Sequence, residues 1–131
     1  MTQSGAIVVF DVAGVIIPKS TIVFGKNLYI AGQTAPGEGI TVYGNRCSFS
    51  GSDNLICRYL RWRMGHIGPK GKDCAGIANG QNMIFDHCSF SCGRDETFSI
   101  NPDGKGSLGN ITLQNCIFGQ GLMTHSAGGL M

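Results

Sequence analysis

Charge is scarce in this sequence. Only 14% of its 131 residues are Asp, Glu, Lys or Arg, and ten basic residues against eight acidic ones leave a formal charge of +2. So small an imbalance gives no electrostatic footprint for a nucleic-acid or membrane-surface partner. No apolar run approaches the ~20 residues that span a bilayer, and the opening MTQSGAIVVF has neither the basic head nor the cleavage site of a secretory leader. No C-x-x-C pair occurs, which argues against a zinc site. Glycine, by contrast, is abundant at 21 residues, and Gly44, Gly51, Gly65, Gly76, Gly93, Gly109 and Gly119 interrupt the windows in which a helical period could build. With 42% hydrophobic residues the chain still has enough apolar surface for a packed core. The expectation is a single all-β unit over residues 1–131, with no nucleic-acid and no membrane partner.

What is present is a comb. Asn27-Leu-Tyr-Ile, Asn54-Leu-Ile-Cys, Asn82-Met-Ile-Phe and Asn110-Ile-Thr-Leu recur at spacings of 27, 28 and 28 residues. The first and third residues after each asparagine are Leu28/Ile30, Leu55/Cys57, Met83/Phe85 and Ile111/Leu113, the alternation of a strand with one buried face. Ala31, Arg58, Asp86 and Gln114 fall on the other face. Further strands are expected at 7–10, 14–17, 22–24, 39–43, 47–49 and 97–100. Each period then makes one coil of a right-handed parallel β-helix, a three-sheet solenoid of about four coils whose strands pair ~4.8 Å above and below. Asparagine suits a corner because it tolerates the left-handed conformation and its amide can bond the amide of the next corner. Leucine-rich repeats require more fixed leucines and hexapeptide helices a six-residue comb, and neither is present. No polar closing element is visible at either end, so the expectation is an uncapped fragment of a β-helix.

Six cysteines, Cys47, Cys57, Cys74, Cys88, Cys92 and Cys116, leave fifteen pairings open in an exported protein. Cys88 and Cys116 hold the same place in successive coils, within reach of a disulfide. A ladder of buried thiols is the favoured expectation, since Cys57 already faces inward. Asn110-Ile-Thr is a glycosylation sequon, but the repeat gives Asn110 a structural role. Trp62, Met83, Phe49, Phe85, Phe90 and Phe98 are expected in the core. In RYLRWRM, Arg58, Arg61 and Arg63 are expected to share one strand face, as a stripe for an acidic polymer or as solvated surface that deters aggregation. Asp86-His87 has the composition of an acid/base pair, but strand neighbours point to opposite faces, so a structural role is expected.

The stretches VVFDVAGVI (8–16), IAGQTAPGEGITVYG (30–44), NLICRYLRWRMG (54–65), NMIFDHCSFSCGRDETFS (82–99) and GLMTHSAGGLM (121–131) together resemble the pectate lyases of the parallel β-helix type, in the forms that carry an AGQTAPG segment. The resemblance implies a secreted enzyme that cleaves polygalacturonate (pectin) by β-elimination, with Ca2+ on the uronate carboxylate and an arginine taking the C5 proton. A hard cation bound to carboxylates would acidify that carbon. By the same resemblance Asp73, thirteen residues before Asp86, and Asp95, nine after it, stand where the family has calcium ligands. Ser99 occupies the place of a third carboxylate, and Glu96 is the nearest substitute. Lys72 and Arg94, each directly before one of the aspartates, and His125 of the His-Ser step are the expected substrate-binding residues. None of the arginines matches the family's R-x-P segment, which puts the catalytic base beyond Met131 and implies a fragment, a shortened gene product or a degenerate copy without lyase activity on its own; a complete chain is expected to be a monomer. Two competing expectations are a silent or structural β-helix that binds acidic polysaccharide, and a lyase for another uronate.

Overall fold

The structure, a computed structural model, describes residues 3–122 and 127–131. Its strands are Ala6–Val9 (β1), Gly14–Ile16 (β2), Ile22–Val23 (β3), Leu28–Ala31 (β4), Ile40–Tyr43 (β5), Cys47–Ser48 (β6), Leu55–Arg58 (β7), Leu60–Arg63 (β8), Ala75–Ile77 (β9), Gly80–Asp86 (β10), Ser89–Ser91 (β11), Glu96–Ile100 (β12), Leu108–Gln114 (β13), Ile117–Gly119 (β14) and Ala127–Leu130 (β15). A single 3-10 turn, Gly32–Thr34, is the only helical element among the described residues. The strands fall into three sheets of five: β1-β4-β7-β10-β13, β2-β5-β8-β11-β14 and β3-β6-β9-β12-β15. Consecutive strands never pair; each pairs in parallel with the strands three places before and after it. Parallel pairing needs a crossover connection, and here the other two sheets of the coil supply it. The chain is a β-solenoid, and the strands expected from alternation lie within one or two residues of β1, β2, β3, β5, β6 and β12.

The asparagines do at the corners what the comb implies. Asn27, Asn54, Asn82 and Asn110 have φ of 54, 58, 59 and 53°, in the left-handed region. The side-chain amides of the last three donate to the amide oxygen one coil earlier, at 2.8 Å from Asn54 to Asn27, 3.0 Å from Asn82 to Asn54 and 2.6 Å from Asn110 to Asn82. Gly5, at φ 71°, takes the same corner before β1, where a left-handed backbone costs glycine little. Asn82 both donates and accepts in this ladder, so two variants separate its contributions. Asn82→Ala loses both bonds and strains the backbone, for about 2–3 kcal/mol, whereas Asn82→Gly loses only the bonds, for about 1–2 kcal/mol. Urea denaturation compares them, and equal losses would show that the corner conformation contributes nothing.

The RYLRWRM stretch departs from expectation. It is two strands, β7 and β8, split at Tyr59, whose φ of 56° turns the chain through a corner and resets the alternation. Arg58 therefore belongs to the first sheet, while Arg61 and Arg63 share the outer face of the second. Inside the coil, Trp62, Phe90 and Phe118 stack in register along the second sheet, with centroids 6.1 and 5.3 Å apart. Phe49, Phe85, Phe90 and Phe98 are wholly buried and Met83 nearly so. All six cysteines are free thiols; Cys57 and Cys88 sulfurs stand 3.9 Å apart in the core, and burial pushes the Cys74 thiol up to about 12. Protonated, buried sulfur of this kind packs rather than reacts.

Candidate metal centre

The chain leaves β8, passes through residues 64–72 and enters the third sheet at β9; one coil later it makes the shorter turn 92–95 into β12. These two entries lie side by side, tied by Arg94 N–H to Lys72 O at 3.1 Å and Cys74 N–H to Glu96 O at 3.0 Å. Sequence-predicted Asp73, Asp95 and Glu96 are thereby brought together. One carboxylate oxygen from each lies within 4.8 Å of the other two, and all three residues are half-buried. Asp73 also accepts from the Glu96 N–H at 3.3 Å. A hydrogen bond shared with Asp73 pushes the Glu96 carboxyl above its ordinary range, and burial and the charges of Asp73 and Asp95 push the same way. Crowding of this kind is what a bound cation relieves.

Ser99, where a third carboxylate was sought, is nearly buried and in register with Gly76, so Glu96 completes the trio. Lys72 is exposed beside Asp73. Arg94 instead turns to the preceding loop, donating to His66 O at 3.0 Å and Gly68 O at 2.7 Å, and so shapes the turn. His125 lies outside the described residues.

Sequence reasoning missed Arg46. Its guanidinium reaches Asp73 at 3.4 Å across Gly76, where a Cβ would stand only 2.9 Å from Arg46 Nη2. The register was the available signal, because Cys47 pairs with Ala75 and thus sets Arg46 against the coil of Asp73.

Asp86 and His87 also differ from expectation, since they do bond. His87 has φ 53° and sits on a corner, which bends its Nδ1 back to Asp86 Oδ1 at 2.7 Å and stacks its ring on Tyr59 at 4.5 Å. Arg58 pairs with Asp86 Oδ2 at 2.7 Å and Asn115 donates to Oδ1 at 3.2 Å. Burial opposes ionisation of Asp86, yet hydrogen bonds from Asn115, Arg58, Gln114 and His87 outweigh it and hold the carboxyl well below the usual range. With its acceptors spent on coil-to-coil bonds, this carboxylate ties corners together, the structural role expected of it. A polar cleft of about 580 Å³, lined by Lys26, Asp53, Asn79, Gln81 and Lys105, lies at the far end of the third-sheet strands and does not include the acidic trio.

No family model matches the chain. Over all 131 residues it is 62% identical to a protein of Aspergillus fumigatus, and 60% identical to proteins of Aspergillus oryzae and Aspergillus flavus, each named probable pectate lyase C. The chain spans 30% of the length of these relatives. Identity carried through every coil, on three parallel sheets wound as a solenoid, makes the whole chain similar to a stretch of these probable pectate lyases and consistent with a piece of a pectate lyase β-helix.

Proposed function

We propose that this chain supplies the metal-binding coils of a secreted, calcium-dependent pectate lyase that cleaves polygalacturonate by β-elimination. The observation that carries the reading is the convergence of Asp73, Asp95 and Glu96 from two adjacent coils. Three carboxylates and no nitrogen or sulfur form a donor set for a hard cation, and the half-buried, open position leaves room for a substrate carboxylate. When bound, calcium would withdraw charge from a uronate carboxylate and make the neighbouring C–H more acidic. The chain's own residues then divide the rest. Asp73, Asp95 and Glu96 hold the ion, exposed Lys72 binds a uronate carboxylate at the rim, and Arg94 and Arg46 fix the turn and Asp73 respectively. The proton-abstracting role falls to none of the arginines in hand: Arg46 and Arg58 face aspartates, Arg94 faces carbonyls, and Arg61 and Arg63 lie on another sheet.

Calcium titration by calorimetry tests the site directly. Asp73→Asn, Asp95→Asn and Glu96→Gln are each expected to weaken calcium by at least the roughly 10- to 100-fold seen when a supporting partner of a metal site is removed. Unchanged affinity in all three would sink the assignment. The enzymatic half of the reading is tested, in a protein of the relatives' length that carries these coils, by chelator-sensitive release of unsaturated uronate from polygalacturonate.

A further inference from the structure

We infer that Arg46 is a built-in competitor for calcium, whose guanidinium holds Asp73 until the ion enters and so sets how tightly the acidic trio binds it. The inference rests on the metal centre proposed above and assigns the affinity of that site to one residue outside it. Both oxygens of Asp73 are engaged. Oδ1 accepts from the Glu96 N–H at 3.3 Å, and Oδ2 faces Arg46 Nη2 at 3.4 Å. The first contact comes from the backbone of the adjacent coil and is fixed, whereas the second comes from the end of a long side chain and can yield. Three carboxylates with oxygens within 4.8 Å of one another repel. A guanidinium beside them offsets part of that repulsion before calcium binds, and opposes the ion as it arrives. Both effects reduce the net gain on binding.

The geometry of Arg46 is that of an exchangeable partner rather than a tie. Arg58 meets buried Asp86 at 2.7 Å, while the Arg46–Asp73 pair is looser and its side chains are 29% and 14% exposed. Arg46 Nε is buried without a hydrogen-bond partner, so packing alone does not account for the position of the guanidinium. Its backbone, by contrast, is anchored: the carbonyl accepts from Ile22 N–H at 3.1 Å and the N–H donates to Asn45 Oδ1 at 3.0 Å. Exchange therefore needs only the side chain to swing. Gly76 leaves the path open. In register with Ser48 and Ser99 on the third sheet, it has no side chain where Arg46 passes, and a Cβ there would stand 2.9 Å from Nη2 and 3.4 Å from Asp73 Oδ2. The nearer of these atoms is the end of a flexible side chain, so a methyl group at Gly76 would push the guanidinium aside and leave the backbone in place.

Calcium titration by calorimetry of Arg46→Gln, Arg46→Lys and Gly76→Ala tests the inference. Arg46→Gln is expected to bind calcium roughly tenfold more tightly than the parent. Gly76→Ala, which keeps the guanidinium but displaces it from Asp73, is expected to bind more tightly as well, and Arg46→Lys, which keeps the charge, to stay near the parent. Thermal unfolding supplies a second readout: Arg46→Gln should melt below the parent in chelator and gain more from saturating calcium. A residue that merely positions Asp73 gives the opposite sign. Weaker or unchanged calcium binding by folded Arg46→Gln, with Asp73→Asn still weakening it, would overturn the inference and leave the metal centre standing. Unchanged affinity in Asp73→Asn, Asp95→Asn and Glu96→Gln together would remove the metal centre and the inference with it. If Arg46→Gln does not fold, the sign of the change in Gly76→Ala decides.

Discussion

Gly93→Ala is expected to cost about 3 kcal/mol of stability and to weaken calcium binding in the same step. A methyl group at Gly93 would stand 2.3 Å from the carbonyl oxygen of Glu96 and 2.8 Å from its carbonyl carbon. Those are backbone atoms, which no rotamer change can move aside. The turn 92–95 must open instead, and the oxygen it would displace is the one that accepts from Cys74 N–H at 3.0 Å and locks β12 onto the previous coil. Glu96 and Asp95 would shift against Asp73, spoiling the convergence on which the metal centre depends. Gly109→Ala is the control, since a Cβ there meets nothing within 4 Å. Thermal unfolding and calcium titration of the two variants read the difference; like behaviour would mean that the close approach at Gly93 does not position the acids.

The coil was legible because its period is long, repeated and chemically marked. A left-handed corner that selects asparagine stamps the same residue on successive turns, and the Asn27, Asn54, Asn82 and Asn110 ladder shows the physics behind that mark. The corner between the first and second sheets carries no such stamp. Tyr59, His87 and Asn115 share it at φ 56, 53 and 52°, three unlike residues in one conformation. Strict alternation therefore runs straight through Tyr59, setting Arg58 with Arg61 and Arg63, and straight through His87, pointing it away from Asp86; the corners at both residues break it. The acidic trio was legible only through family likeness. Nothing in period or composition sets Asp73 beside Asp95, because the turn 92–95 is shorter than the loop 64–72 and shifts the count between coils. Arg46 escaped because its value lies in register alone, and register becomes visible only when β6 is laid against β9.

Phe98→Ala is expected to be strongly destabilising, at about 4 kcal/mol. Phe98 is fully buried and touches three other rings, with centroids 4.7 Å from Phe90, 5.4 Å from Phe118 and 5.6 Å from Phe85. Its in-register neighbours in the third sheet are Ala75 and Gly129, too small to lean into the space it would leave, so the cavity stays open. The sheet-to-sheet layering also transmits the loss. Phe98 anchors β12 in the core two residues after Glu96, whose half-buried carboxylate belongs to the acidic trio. Because each coil is stabilised mainly by its neighbours, the damage should concentrate in the β9, β12 and β15 rungs. Hydrogen exchange would then show amides of β12 losing protection before those of β4. Phe118→Ala is the graded comparison, for Phe118 is only partly buried in the last rung of its sheet and should cost clearly less. Equal losses at Phe98 and Phe118, measured by urea denaturation, would mean that the interior is not organised around the ring cluster beneath β12.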